Sequence, residues 1–527
     1  MRYAALVISV LGCLVFALLI PSLGDFATYP FLVFLILAGI GIWDLIQRTH
    51  NLKRNYPLLA NFRYLLEKVR PEIRQYFLES DLDGAPFNRN KRALIYQRAK
   101  RQLETRPFGT LQNVYGDDYE WITHSICPTH LHEWNFRISI GGPHCLQPYQ
   151  ASLLNISAMS FGSLSANAIR ALNRGAKEGG FAHDTGEGSI SPYHREQGGD
   201  LIWELGSGYF GCRNKDGTFS PERFAEQART PQVKMIEIKL SQGAKPGHGG
   251  VLPGPKVTPE IASTRGVPVG VDCVSPAGHS AFSTPVEMMH FIARLRELSE
   301  GKPVGFKLCI GHPSEFMGLC KAMLETGILP DFIVIDGSEG GTGAAPLEFT
   351  DHIGTPLREG LTFAHNCLLG AGLRDKIKLG ASGRIASAFD MARVLALGAD
   401  WCNAARGFMF ALGCVQSLSC HNDKCPTGVA TQDPLRQLAL DVEDKSKRVH
   451  NFHDRTLMAL AEIVEATGLS HPREFHRDHF YRRVSPLEVK SFADVYPELS
   501  HGSLLNGSAP DEYKNKWARS RADRFMA

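Results

Sequence analysis

From residue 153 onward the chain repeats one pattern, a short apolar run followed by a segment of helical periodicity. The runs are Leu153–Ser160, Phe181–Thr185, Val233–Leu240, Pro268–Ser275, Val304–Ile310, Phe332–Asp336, Ile377–Ala381 and Trp401–Arg406. Amphipathic stretches at Ala166–Glu178, Pro285–Ser299, Ser314–Thr326 and Ala386–Leu397 lie between them. Strands that are apolar on both faces belong in a parallel sheet covered by helices. Eight such units predict an α/β fold, a closed (β/α)8 TIM barrel rather than an open doubly wound sheet.

Sites in such barrels sit at the C-terminal ends of the strands. Here most runs end in polar or glycine-rich segments: Met159-Ser160-Phe161-Gly162, Thr185-Gly186-Glu187-Gly188, Lys239 with Gln242, Gly243 and Lys245, and Asp336 through Gly343. The last two runs end in Ser382-Gly383-Arg384 and Arg406-Gly407. Small residues there let backbone N–H groups approach a phosphate, and an arginine can pair with two of its oxygens. Lys239 and Lys307 stand inside otherwise apolar strands, where an ammonium needs an anionic partner. A reduced flavin is one such partner; a buried ion pair with Glu237 or Asp336 is the other.

Cys414, Cys420 and Cys425, followed by Pro426, can wrap a compact soft-metal centre. Three ligands suit a three-iron cluster. Cys402 or His421 as a fourth ligand would suit zinc, and an inert trio of thiols is the remaining reading.

The N-terminus carries two apolar runs, Tyr3 to Ile20 and Phe26 to Trp43. Each is about 18 residues, enough to cross the hydrocarbon core. Arg48, Lys53, Arg54, Arg63, Lys68, Arg70 and Arg74 follow. The positive-inside rule then predicts a membrane hairpin of two helices with the catalytic body in the cytoplasm. A cleaved signal peptide is the alternative, and the second run argues against it. Between hairpin and barrel, Asn61–Phe77 and Lys91–Glu104 read as helices. The expected division is therefore a hairpin over 1–47, a helical collar over 48–150, the barrel with its cysteine loop over 151–440, and a helical extension over 441–527. A net charge of +3 gives no footprint for nucleic acid. The 12 cysteines are scattered, as in a reducing compartment.

Several of these segments resemble the synthase half of the glutamate synthase large subunit. They are Ser157 through Ser165, Thr185-Gly186-Glu187-Gly188, Ile238 through Gly247, Gly340 through Pro346, and Ala411 through Thr431. The resemblance covers roughly residues 150 to 440 and implies FMN on the barrel and a 3Fe-4S cluster on the cysteine loop. It implies hydride transfer from reduced FMN to 2-iminoglutarate, made from 2-oxoglutarate and ammonia, to give L-glutamate. By motif position it makes Cys414, Cys420 and Cys425 the cluster ligands. Met159, Ser160, Lys307, Gly341, Gly343, Ser382, Gly383, Arg384, Arg406 and Gly407 would bind the flavin. Glu187, Lys239, Gln242 and Lys245 would be catalytic, with Lys239 also a candidate for the flavin edge.

There are departures. The chain starts with Met1-Arg2 and a membrane segment instead of a glutaminase with an N-terminal cysteine, so glutamine hydrolysis is not expected. There is no dinucleotide fingerprint, so electrons are expected from a separate donor: a reductase, a ferredoxin or a membrane carrier. About a hundred residues follow the cysteine loop, too few for the family's β-helix. Ser275 through Ser280 differs from the Pro- and His-rich stretch usual there, which bears on the substrate. Two other functions fit these features: a membrane-linked flavin dehydrogenase of an amino or hydroxy acid, and a non-catalytic electron-transfer subunit.

Overall fold

The computed structural model describes residues 2–525 and divides into two compact units, Met1–Arg89 and Asn90–Ala527. The first unit begins with α1 (Ala4–Leu23) and α2 (Asp25–Ile46), of 20 and 22 residues. Gly24, at φ 54°, makes the turn between them alone. Both helices are long and apolar enough to cross a membrane. They pack side by side, with Phe16 stacked on Phe34. Helix α3 (Leu59–Ile73) then runs into a π-helical turn at Arg74–Leu78.

The second unit holds a closed barrel of eight parallel strands. They are β1 (Leu154–Ile156), β2 (His183–Asp184), β3 (Leu201–Leu205), β4 (Val233–Lys239), β5 (Val304–Leu308), β6 (Phe332–Asp336), β7 (Lys378–Ser382) and β8 (Trp401–Ala404). Strand β8 pairs back with β1 through Cys402 and Leu154, closing the ring. Covering helices include α4 (Ala166–Gly179), α5 (Pro221–Ala228), α6 (Pro259–Arg265), α7 (Pro285–Leu298), α8 (Pro313–Thr326), α9 (Leu357–Gly370), α10 (Ala388–Ala396) and α11 (Arg406–Leu412). Their starts are locally encoded. Ser165, Thr258, Thr284 and Ser387 each accept a backbone N–H of the first turn.

Two strand expectations need correction. Leu201–Leu205 is the third barrel strand, whereas Pro268–Ser275 is not in the barrel. Glu204 interrupts the apolar run at 201–205, but it is buried and ion-paired. Pro268 and Gly270 disfavour a central strand. In that segment only Cys273–Val274 is extended, paired with Val251–Leu252 in a small antiparallel ribbon. Val269, Val271 and Val274 are exposed there.

The C-terminal region is more than helical. Helix α12 (Val442–Ala466) packs on α4, with Val449 against Gly175. The segments Phe480–Ser485 and Glu488–Ser491 then form an antiparallel sheet with Glu120–Ile122.

Candidate active site

The mouth is assembled from strand-end loops that hold one another. Asp184, the last residue of β2, accepts Gly186 N–H at 2.9 Å. Thr185 Oγ1 accepts the amide of Glu204 at 3.2 Å. Gly186 has φ 63°, and a Cβ there would lie 2.7 Å from Ser160 N, so only glycine lets this loop rest on the Met159–Ser160 backbone. That contact directs Glu187 toward β4. Its carboxylate meets Lys239 Nζ at 3.1 Å, and Ser275 Oγ lies 3.5 Å away. Burial alone would raise the Glu187 pKa; Lys239, then Arg265 and Lys245, override it and hold the carboxyl below its usual value.

Lys245 is almost wholly buried and donates to Gly249 O at 2.8 Å. Burial lowers its pKa, and Glu187 partly restores it. Gln242 lies between the two lysines and is half-buried. The following Gly243 N–H donates to Asp336 Oδ2 at 2.8 Å, which ties this loop to the end of β6.

Lys307 lies elsewhere. It is buried in an ion pair with Glu204 and stands 3.4 Å from Glu237. Asp184, Glu204 and Glu237 bring ligand atoms within 4.8 Å of one another, all buried. Burial would depress the Lys307 ammonium, but Glu204, Glu237 and Asp184 carry it well above its usual value. Lys307 thus has the anionic partner that its position in an apolar strand demanded. Glu237 is one of the two partners read from sequence; the other, Asp336, is engaged by Gly243.

The phosphate-type segments converge. Ser382 pairs with Asn403 across β7 and β8, and its Oγ lies 3.3 Å from Ser157 Oγ. Arg384 is exposed with φ 50°. Gly407 packs against Ile385 O and Phe452. Arg406 is directed at the neighbouring loop, donating to Glu339 O at 2.5 Å and lying against Gly341.

The same loop reaches the three thiols. A Cβ on Gly343 would stand 3.1 Å from Cys420 C and His421 N, so the 337–343 loop touches the cysteine loop. Cys414 and Cys420 are half-buried and Cys425 is buried. Burial and the two other thiols push Cys414 up to about 11. Cys425 is lowered instead, because hydrogen bonds from Thr427 and nearby backbone outweigh its burial. Gln416, Leu418 and Asp423 all have left-handed backbone, winding the loop around its thiols. Among the described residues no group of Cys and His ligand atoms closes within 4.8 Å. Cys402 is buried in β8 beside Asp390 and takes no part.

Three residues carry this arrangement; Arg265 and Lys256 had no sequence signal, and His279 stood out only as part of Ser275–Ser280. Arg265 is buried and donates to Phe161 O at 2.9 Å and Ser160 Oγ at 3.4 Å. Lys256 is buried and donates to Cys420 O at 3.0 Å and Ala430 O at 3.4 Å. His279 Nε2 lies 2.8 Å from Lys239 O. Each sits in a loop or helix end without a motif, and only the fold shows what it touches.

A parallel barrel with a cationic, carboxylate-lined mouth abutting a thiol loop defines a TIM-barrel enzyme of the oxidoreductase class. The family model described as the conserved region in glutamate synthase matches residues 142–470. The chain is 38% identical over 489 residues to the glutamate synthase large subunit-like protein YerD of Bacillus subtilis, covering 85% of this chain and 93% of that one. It is 35% identical over 315 residues to the archaeal-type glutamate synthase [NADPH] of Thermotoga neapolitana, covering 60% of this chain and 59% of that protein. The glutamate synthase [NADPH] large chain of Bacillus subtilis is 35% identical over 352 residues, which are 22% of its length. The chain belongs to the glutamate synthase family.

Proposed function

We propose that this chain is the synthase half of a glutamate synthase, a membrane-anchored FMN and iron–sulfur enzyme that reductively aminates 2-oxoglutarate. The observation that carries the reading is the mouth itself, where Glu187 is held by Lys239 with Lys245 near it, and where the 337–343 loop links Gly243 to the Cys414–Cys425 loop. A conduit for electrons has no use for two lysines gathered about a carboxylate at the strand ends. FMN would be held by the Met159–Ser160 backbone, Gly341, Gly343, the Ser382–Arg384 turn and Arg406–Gly407. Lys239 is the cation for its ring edge, and Lys307 supports the barrel floor from below. Cys414, Cys420 and Cys425 would hold a 3Fe-4S cluster. When bound, the flavin supplies the hydride that reduces 2-iminoglutarate at C2.

The chain's own groups do the rest. Lys245 presents its ammonium group to one of the substrate's carboxylates, a charge-assisted contact. Glu187, ionised at neutral pH, would take the proton that ammonium releases as ammonia adds to C2, and return a proton to the former carbonyl oxygen as it leaves as water. Gln242 can donate to the substrate's carbonyl oxygen. Helices α1 and α2 anchor the protein, with the basic residues after them in the cytoplasm. Electrons reach the cysteine loop from a separate donor.

The test is isotopic. Protein purified in detergent and reduced with dithionite should convert 2-oxoglutarate and 15N-ammonium into glutamate labelled at its amino nitrogen. Absence of labelled glutamate, with flavin reduction by an amino or hydroxy acid and reoxidation by a quinone, would assign the dehydrogenase reading that the two membrane-length helices favour.

A further inference from the structure

Helix α3 carries an apolar stripe that nothing among the described residues covers. Leu59, Phe62, Leu66, Val69 and Ile73 recur at alternating spacings of three and four, which puts them on one face. All five are exposed, Phe62 at 63%, and Leu65 beside them is exposed as well. A helix with its apolar side outward is the reverse of what packing in water produces. The opposite side is the one that packs, since Ala60 is buried.

The edge of the stripe is cationic. At 100° per residue, Arg63, Arg70 and Arg74 follow one border of the apolar face. Together with Leu66 and Ile73 they line an open groove of about 590 Å³, to which Glu67, Glu79 and Asp83 also contribute. Arg63 pairs with Glu67 at 2.7 Å and Arg74 lies 3.9 Å from Glu79. Arg70 has no carboxylate partner among the described residues. Residues 48–74 hold seven Lys and Arg against two Glu, a net of +5.

The start of α3 is fastened to the end of the second apolar helix. Asp44, buried in the last turn of α2, accepts Leu58 N–H at 3.1 Å and the Asn61 side-chain amide. Lys53 Nζ stands 4.0 Å from the same carboxylate. Trp43, beside Asp44, is exposed. An exposed tryptophan next to the first charge after an apolar span marks the level of a bilayer interface. The hydrogen bonds of Asp44 therefore place the first turn of α3 at that level.

We propose that α3 is an interfacial helix. It lies in the plane of an anionic bilayer surface, with the Leu59–Ile73 stripe among the upper acyl chains and Arg63, Arg70 and Arg74 at lipid phosphates. The inference rests on α1 and α2 forming a membrane-spanning hairpin, and it adds a lipid-class preference that a hairpin alone does not supply. The occupant of the stripe is lipid rather than a second copy of the chain, because the start of α3 is fastened to the end of a membrane-length helix and the segment carries a net positive charge along the border of the stripe.

The experiment uses the full chain in nanodiscs of phosphatidylcholine with a minor fraction of phosphatidylglycerol. Photoreactive p-benzoylphenylalanine replaces, one at a time, Phe62, Leu66, Lys68 and Leu14, and adducts are read by mass spectrometry. Phe62 and Leu66 should capture phospholipid, and Lys68, on the polar side, should not. Phosphatidylglycerol should be enriched about fivefold over its bulk fraction among the adducts, the effect of one basic side chain near the surface. The combined substitution R63Q/R70Q/R74Q should return it to the bulk fraction. Capture of a second chain at Phe62, or equal lipid capture at Lys68, would overturn the proposal. Lipid capture at Leu14 without any at Phe62 or Leu66 would overturn it while leaving the hairpin standing. No lipid capture at Leu14 would remove the hairpin and this inference together.

Discussion

The Lys256 ammonium donates to the carbonyl oxygen of Cys420 at 3.0 Å from an almost wholly buried position. Burial depresses its pKa, while Asp423 at 3.8 Å and the adjacent thiols favour the charged form. One cation thus joins the segment before α6 to the loop expected to carry the cluster. Replacing Lys256 by Met leaves the Cys420 and Ala430 carbonyls without this donor, a loss of roughly 2 kcal/mol for a charged hydrogen bond. We expect a lower iron-to-flavin ratio and a weaker cluster signal by electron paramagnetic resonance. Cys420→Ser should abolish that signal and leave FMN bound. A Lys256→Met protein with full iron content would show that the lysine does not hold the loop.

Lys307 and Lys239 are register neighbours on β5 and β4, yet their surroundings differ. Lys307 neutralises a buried carboxylate group, whereas Lys239 opens onto the mouth. Lys307→Met should cost roughly 3–5 kcal/mol, the penalty for breaking a buried pair by removing one partner. Lys239→Met should cost distinctly less in stability and more in substrate turnover. Denaturant midpoints separate them; equal stability losses would contradict the division of roles.

The carboxylate group beneath the mouth should make stability depend on pH. Burial, then the Glu204 carboxylate, push Asp184 up to about 7, against an unfolded value of about 3.9. A raised carboxyl binds its proton more tightly in the folded state. Its contribution is fully present below about pH 4 and is lost as the pH rises through about 7, by up to about 1.4 kcal/mol per pH unit. Asp184→Asn keeps an oxygen for the Gly186 N–H but cannot ionise. Chemical denaturation across this range should show a shallower decline for the variant, and an unchanged slope would remove Asp184 from the titration.

Glu187 has the opposite sign. Lys239 and its neighbours hold its pKa below the usual carboxylate value, so its contribution is present above about pH 4.3 and is lost as the pH falls through the lower folded value. Glu187→Gln should therefore remove part of the acid sensitivity. It should also lower kcat by about 10²–10⁴, the range for loss of a positioned proton acceptor. Lys245→Met should instead raise KM for 2-oxoglutarate. A Glu187→Gln enzyme with unchanged kcat would exclude the proton-accepting role.

Much of this was legible from residue patterns. Strands such as Val304–Leu308 and Phe332–Asp336 are continuous apolar runs, and their polar ends gather at one mouth as barrel topology requires. Strand β3 was not legible, because Glu204 breaks its apolar run and its counter-ion, Lys307, is over a hundred residues away. Pro268–Ser275 has the alternation of a strand, but Pro268, Gly270 and its exposed valines put it in a surface ribbon. For Lys307 the sequence named a flavin, Glu237 or Asp336 as partner, and the fold adds Glu204, the closest carboxylate, which the sequence did not suggest. Lys256 and Arg265 were silent, since a buried lysine or arginine looks like any surface one until its acceptors are placed around it. In α3 the spacing marked a helix, but only its exposure showed that the apolar side faces outward.

The most direct measurement of the central claim is anaerobic. The detergent-solubilised protein is reduced with dithionite, and its visible flavin absorbance is followed as 2-oxoglutarate and ammonium are added separately and then together. The account predicts reoxidation only when both are present, with one glutamate formed per flavin reoxidised. A flavin that stays reduced with both substrates present would contradict it.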